Sequence, residues 1–210
     1  MTSDDIPRIG RDPGPAAVTT SEAISGTGAI PVHVTALEMT APPRQSLPVP
    51  VNIQTAILRV PDIPLPYYRF LYLQVGRRWH WTMRLRMDDD TLAATLHDPK
   101  NSVTVLYVNG APAGFFELLK VDEETVELTH FGVMEHALGL GLGKWFLLQA
   151  LHAAWAETPQ RVTVTTNTLD HPRALQLYQR FGFSPVATST AQVTPLSDEE
   201  LLALAQRAGL

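Results

Sequence analysis

Apolar and polar residues intermix from Pro31 to Met39 and again from Val51 to Val60 in short runs that read as strands, and a proline-rich connection separates the two. From Pro64 to Val75 the pattern changes. Tyr67, Tyr68, Phe70, Leu71 and Tyr72 fall on a helical face. Asp88-Asp-Asp90 then precedes a short helix ending near Leu96, and an acidic run suits the positive end of a helix better than it suits a metal. Ser102 to Val108 and Ala113 to Leu119 flank Asn109-Gly110, a dipeptide that reaches positive φ cheaply, so they predict a hairpin. Val126 to Val133 reads as the next strand, Gly143 to Ala156 as a long helix, and Arg161 to Thr166 as another strand. Ala174, Leu175, Leu177, Tyr178 and Phe181 predict a helix started by Asp170 and Pro172 and stopped by Gly182. Ser184 to Val193 should close the sheet, and Ser197-x-x-Glu200 is a capping box for a last helix. Residues 1–30 are rich in Gly, Pro, Ser and Thr with little to bury, which predicts a disordered tail before one domain over 31–210. No internal repeat is visible.

The richest stretch is Val133-Met-Glu-His-Ala-Leu-Gly-Leu-Gly-Leu-Gly143, between a predicted strand and a predicted helix. Three glycines at alternate positions leave little side-chain bulk where unpaired N–H groups and the helix dipole favour an anion. A nucleotide P-loop needs four residues between its first Gly and Gly-Lys, and Gly139 to Gly143-Lys144 has three. A dinucleotide fingerprint needs G-x-G-x-x-G, and the chain reads G-x-G-x-G. Neither fits.

The segment resembles the pyrophosphate loop of the GNAT acetyltransferases, V-x-P-x-x-(R/Q)-G-x-G-x-G/A, with Glu135 in place of the Pro and Leu138 in place of the Arg or Gln. Downstream, His171-Pro-Arg-Ala174-Leu-Gln-Leu177-Tyr178-Gln-Arg-Phe-Gly182-Phe183 is similar to that family's N-x-x-A-x-x-L-Y-x-x-x-G-F, differing at His171. The resemblance covers roughly residues 102–185. It implies an α/β (α+β) fold with a mixed, mostly antiparallel sheet flanked by helices, central strands that splay, and acetyl-CoA as co-substrate in the gap. Phe131, Gly132 and Val133 would then face the pantetheine arm, and Gly132, inside a strand, reads either as a simple bulge or as that opening. Leu138, Gly139, Leu140, Gly141, Leu142, Gly143 and Lys144 would form the phosphate site, with His171, Arg173 and Tyr178 beside it.

Composition narrows the classes without adding chemistry. A chain of 210 residues, 45% hydrophobic, can bury one sizeable core, and a net charge of −5 argues against a general nucleic-acid binder. With no cysteine, disulfides, thiolate metal sites and a Cys-acyl intermediate are excluded, and no metal site is expected. The acidic N-terminus lacks an apolar leader and no apolar run reaches spanning length, so a cytoplasmic protein away from membranes is expected.

Acyl transfer to an amine needs a base for the ammonium, a donor for the oxyanion and an acid for the leaving thiolate. The family motif assigns Tyr178 as the acid. Glu127 is the first choice of base, Glu117 the second, and His130 or His171 the third. Trp79 and Trp81 alternate around His80 and, with Glu117, are the candidates for the acceptor pocket. The expected function is N-acetyl transfer from acetyl-CoA to a primary amine by direct attack, the acceptor being a small molecule or a protein amine, with a homodimer left open. Alternatives are a non-catalytic sensor of acetyl-CoA or CoA, and transfer of another acyl group or to a hydroxyl.

Overall fold

The computed structural model describes residues 28–48 and 50–207. Most of the expected tail over 1–30 therefore lies outside the described residues, and Ile30 is the first residue of a strand. The strands are β1 Ile30–Met39, β2 Thr55–Arg59, β3 Asn101–Val108, β4 Ala111–Lys120, β5 Thr125–Val133, β6 Arg161–Asn167 and β7 Ser184–Val193. The helices are α1 Leu65–Gly76, α2 Met83–Arg86, α3 Asp89–Leu96, α4 Leu142–Ala156, α5 Ala174–Arg180 and α6 Asp198–Arg207. No helix among the described residues is long and apolar enough to cross a membrane.

Local chemistry accounts for most boundaries. Asn109 and Gly110 both adopt positive φ, 50° and 83°, and turn β3 into β4. Asp88 caps α3 by accepting from the Thr91 amide at 2.7 Å, so the acidic run serves a helix start. Ser197 and Glu200 satisfy each other's backbone N–H at 2.8 and 3.1 Å, a complete capping box. Two expectations move. The strand over 51–60 shrinks to 55–59, because Asn52 at φ 66° spends residues 51–53 on a turn. Asp170 does not start α5; its carboxylate instead accepts from the Thr166 hydroxyl and the Asn167 amide, and the helix begins at Ala174.

The seven strands among the described residues form one mixed sheet in the order β2-β3-β4-β5-β6-β1-β7, antiparallel except for β5 with β6. The first strand thus lies near the far edge, between β6 and the closing strand. The residue pattern predicts a strand there but not its neighbours, because both edges of β1 look the same in sequence. β4 is buried on both faces. Phe116 meets Phe146 of α4 on one side, and Phe115 meets Tyr68 of α1 on the other, consecutive side chains going to opposite faces. Two cores result, one under α4 and one under α1 to α3.

Candidate active site

The sheet opens at its centre. β5 and β6 pair in parallel from Thr125↔Arg161 only as far as Leu128↔Val164. Beyond that, β5 stays with β4 up to Val133↔Gly114, while β6 stays with β1 up to Asn167↔Val34. The divergence begins at a bulge, since Glu117 faces His130 whereas Leu118 faces Leu128, which leaves Thr129 as the extra residue. Gly132 pairs regularly with Phe115, so the bulge entertained for it lies three residues earlier. Its lack of a side chain has another cause. A Cβ on Gly132 would come 2.2 Å from Val75 Cγ1, so glycine lets α1 close onto the strand.

The gap continues into a cavity of about 1060 Å³. At one end lies the glycine loop. Gly139 and Gly141 take φ values of 80° and 75°, Gly141 precedes the first residue of α4, and no side chain among the described residues caps that helix. Beyond each glycine's own neighbours in the chain, nothing among the described residues lies within 4 Å of a Cβ placed on Gly139, Gly141 or Gly143. The first-turn N–H groups of α4 therefore face an open surface, with Lys144 beside them and no acidic residue in that turn. Among the described residues five cations, Arg78, Arg86, Lys144, Arg173 and Arg180, line the cavity; Glu135 holds Arg78 and Glu200 holds Arg86, which sets Lys144, Arg173 and Arg180 against the one further lining carboxylate, Asp170, in a chain that is acidic as a whole. Such a lining suits a polyanion.

Most residues singled out from sequence meet here. Phe131, Gly132, Val133, Leu138, Gly141 and Gly143 line the cavity, as do Lys144, His171, Arg173, Tyr178, Trp79 and Trp81. Gly139 and Leu140 sit outside the lining, and the Leu142 side chain belongs to the core under α4, so its only contribution there is backbone. Leu138 is exposed and apolar. Its neighbour Glu135 holds Arg77 at 2.8 Å and Arg78 at 3.1 Å, which ties the turn after α1 to the loop. His171 Nδ1 accepts from the Arg173 amide at 3.1 Å, a bond that an Asn side chain at this position could also make. The two tryptophans do not sit on a strand: residues 77–79 form a 3-10 turn and His80 takes positive φ. Trp79 packs edge-on against His171, and the Trp81 indole donates to Asp170 at 3.3 Å.

Tyr178 is buried on the rim, edge-on to Phe183. Burial, and secondarily the Asp170 charge, push its hydroxyl well up, so it stays protonated at neutral pH. Glu127 is absent from the lining. It pairs with Thr163 and Leu119 on the closed part of β5, before the strands part. Glu117 does not line the cavity either. It is fully buried and accepts from Tyr68 at 2.5 Å, from Arg84 at 2.9 Å and from His130 Nδ1 at 3.1 Å. Burial alone would raise its carboxyl, but His130 and Arg84 override that and hold it at about 2. His130 is the member of this group that reaches the cavity, boxed by Tyr72, Trp81 and Phe115 with ring centroids 5.0, 5.2 and 6.5 Å away. A Glu and a His facing each other on neighbouring strands were the signal, but strand pairing had to be known to see it.

The model of the Acetyltransferase (GNAT) family matches residues 65–183. No curated protein matches the sequence. Among solved structures the chain is similar to a functionally unknown conserved protein from Staphylococcus epidermidis ATCC 12228, with TM-score 0.52, 15% identity, and coverage of 81% of this chain and 64% of that one. It is also similar to a GCN5-related N-acetyltransferase from Sphaerobacter thermophilus, with TM-score 0.54, 14% identity, and coverage of 82% and 56%. A third is the ribosomal-protein-S18-alanine N-acetyltransferase from Escherichia coli, with TM-score 0.52, 13% identity, and coverage of 69% and 97%. These identities speak for the fold, and the chain spans less than two thirds of the first two proteins.

Proposed function

The chain belongs to the acetyltransferase (GNAT) family, and on that premise we propose that it moves the acetyl group of acetyl-CoA to a primary amine held between β5 and β6. The observation that carries this reading is the divergence of β5 from β6 after Leu128 and Val164, opening beside the uncapped N-terminus of α4. In this reading the diphosphate takes the amides of Gly141 to Lys144, with Lys144 and Arg173 adding charge. The pantetheine arm runs along the edge of β5 that β6 has left, where Thr129 to Val133 have no strand beside them among the described residues. The thioester then comes to Tyr178, which protonates the departing sulfur.

The amine enters from the α1 side, past Tyr72, Trp79 and Trp81. Both lining carboxylates there are already engaged, Asp170 by Trp81, Thr166 and Asn167, and Glu135 by two arginines. This arm suits a single amine on an apolar or aromatic body better than a polyamine, whose further ammonium groups would lack counter-charges.

Gly141→Asp tests the reading. The space around a Cβ there is empty, and Asp tolerates left-handed backbone, so the fold should persist while the carboxylate repels phosphate. Calorimetry should show acetyl-CoA binding to the wild type and none to the variant, and thiol release should follow when amines are supplied. Unchanged affinity in the folded variant would remove the proposed phosphate site.

A further inference from the structure

Glu117 stands at a position that sequence pattern reserves for a hydrophobe. It follows Phe115 and Phe116 in the central strand β4, and nothing of its side chain is exposed. A carboxylate is held at such a position only by strong partners. Arg84 and Tyr68 would satisfy it without His130, yet His130 takes the remaining place and carries the network to the cavity wall.

We propose that His130 is the general base of the acetyl transfer, and that Glu117, fixed by Arg84 and Tyr68, is the positioning residue that sets its tautomer and aim. The inference rests on the acetyl-transfer reading above and adds the identity of the proton acceptor.

Four observations converge. Glu117 and His130 are direct cross-strand partners, so their contact is set by the sheet register itself. The carboxylate can only accept, so the neutral imidazole carries its proton on Nδ1 and keeps its lone pair on Nε2. The bulge at Thr129, one residue before His130, re-aims the strand where it leaves β6. Tyr72, Trp81 and Phe115 surround the ring and restrict its rotation. The titratable and charged groups around His130 are Glu117 from β4, Tyr72 and Tyr68 from α1, Arg84 from α2, and Asp170 beyond the Trp81 indole. Glu117 itself is shut off from the cavity with both oxygens engaged, so it cannot take the proton directly.

The step balances without a further reactant. The ammonium gives one proton to His130 Nε2, and the freed lone pair forms the C–N bond at the thioester carbonyl. Collapse of the tetrahedral adduct breaks the C–S bond, and the sulfur takes the Tyr178 hydroxyl proton. The surplus N–H proton of the new amide restores Tyr178, and the proton on His130 passes to solvent.

The test is the pH–rate profile of amine-dependent thiol release, read together with acetyl-CoA affinity by calorimetry. His130→Gln should bind acetyl-CoA as the wild type does, lose about 10²–10⁴-fold in turnover, and lose the acid limb of the profile. His130→Ala opens a hole in the ring box, and added imidazole should restore part of its rate in proportion to the free-base concentration. Glu117→Gln leaves Arg84 buried without its carboxylate and risks unfolding, so Glu117→Gln with Arg84→Met is the companion variant. It should fold, bind acetyl-CoA, and show slower turnover with a displaced acid limb.

A folded His130→Gln that keeps the wild-type rate and limb overturns the base assignment and leaves acetyl transfer standing. If the Glu117/Arg84 pair variant matches the wild type in rate and limb, Glu117 is structural and its positioning role is refuted. A wild type that neither binds acetyl-CoA nor releases thiol refutes the underlying reading instead, before any variant is compared.

Discussion

Gly132→Ala adds one methyl group at the point where helix α1 closes onto the open strand. The new Cβ would fall 2.2 Å from Val75 Cγ1 and 3.7 Å from Val75 Cβ. Carbon atoms rest about 3.5–4.0 Å apart, so the first contact is impossible and the second is ordinary. Val75 is buried in α1, and a β-branched side chain in a helix has one strongly preferred rotamer, so it cannot swing away cheaply. Overpacking of this kind costs about 1–3 kcal/mol. At about 2–4 °C for each kcal/mol in a domain of this size, the melting temperature should fall by about 2–12 °C. Val75→Ala alone removes two buried methyl groups and should cost about 1.5–2.5 kcal/mol. In the double variant the added methyl partly fills the hole left by Cγ1, so the pair should be less destabilised than the sum by about 1–3 kcal/mol. Urea unfolding of the four proteins measures this coupling directly. Strict additivity, or a Gly132→Ala protein as stable as the wild type, would mean that Val75 does not set the spacing of α1 from β5.

Tyr178→Phe keeps the buried ring and removes one hydroxyl, so acetyl-CoA affinity and melting temperature should hold while turnover falls about 10²–10⁴-fold, measured as thiol release. Glu117 makes a signed prediction for acid stability. Its folded value of about 2 lies below the ordinary 4.5, so its contribution is fully present above pH 4.5 and is lost as the pH falls toward 2. At about 1.4 kcal/mol for each tenfold in proton affinity this amounts to roughly 3 kcal/mol, and thermal melts of the Glu117→Gln, Arg84→Met variant should be flatter over that window. His171→Asn should leave acetyl-CoA affinity and turnover near wild type, since Asn can accept from the Arg173 amide, whereas His171→Phe should weaken both. Ser197→Ala breaks the capping box and should destabilise the protein by about 1 kcal/mol in urea unfolding.

The elements of the fold were legible because each is written locally. Asn109-Gly110 dictates a turn, Ser197-x-x-Glu200 a helix start, and alternating glycines an open helix N-terminus, whatever surrounds them. The order of strands was not legible. Nothing within residues 30–39 says that β1 lies beside β6 and β7 rather than beside β2. The cofactor end of the cavity followed from the same local motifs, and its departures proved instructive: His171 makes a bond that Asn could make, whereas Glu135 answers Arg77 and Arg78, partners more than fifty residues away.

The choice of base could not be read from residue type, because a carboxylate on a strand has the same composition whether it faces water, substrate or the core. Glu127 and Glu117 look equivalent in sequence, and register separates them. Glu127 pairs with Thr163 where β5 and β6 are still joined, whereas Glu117 pairs with His130 just past the bulge. A single extra residue, Thr129, marks the difference. Without that bulge the residue opposite Glu117 would be Thr129, given the pairing of Leu118 with Leu128, and no imidazole would stand between the buried carboxylate and the cavity. Deleting Thr129 therefore separates strand pairing from aim. The shortened strand should pair regularly with β4 and keep His130 opposite Glu117, because Leu128 stays on Leu118, while the bend where β5 leaves β6 is lost. If that bend aims the imidazole, turnover should fall in a protein that still folds and binds acetyl-CoA. Retained turnover would show that the Glu117 pairing alone aims the base.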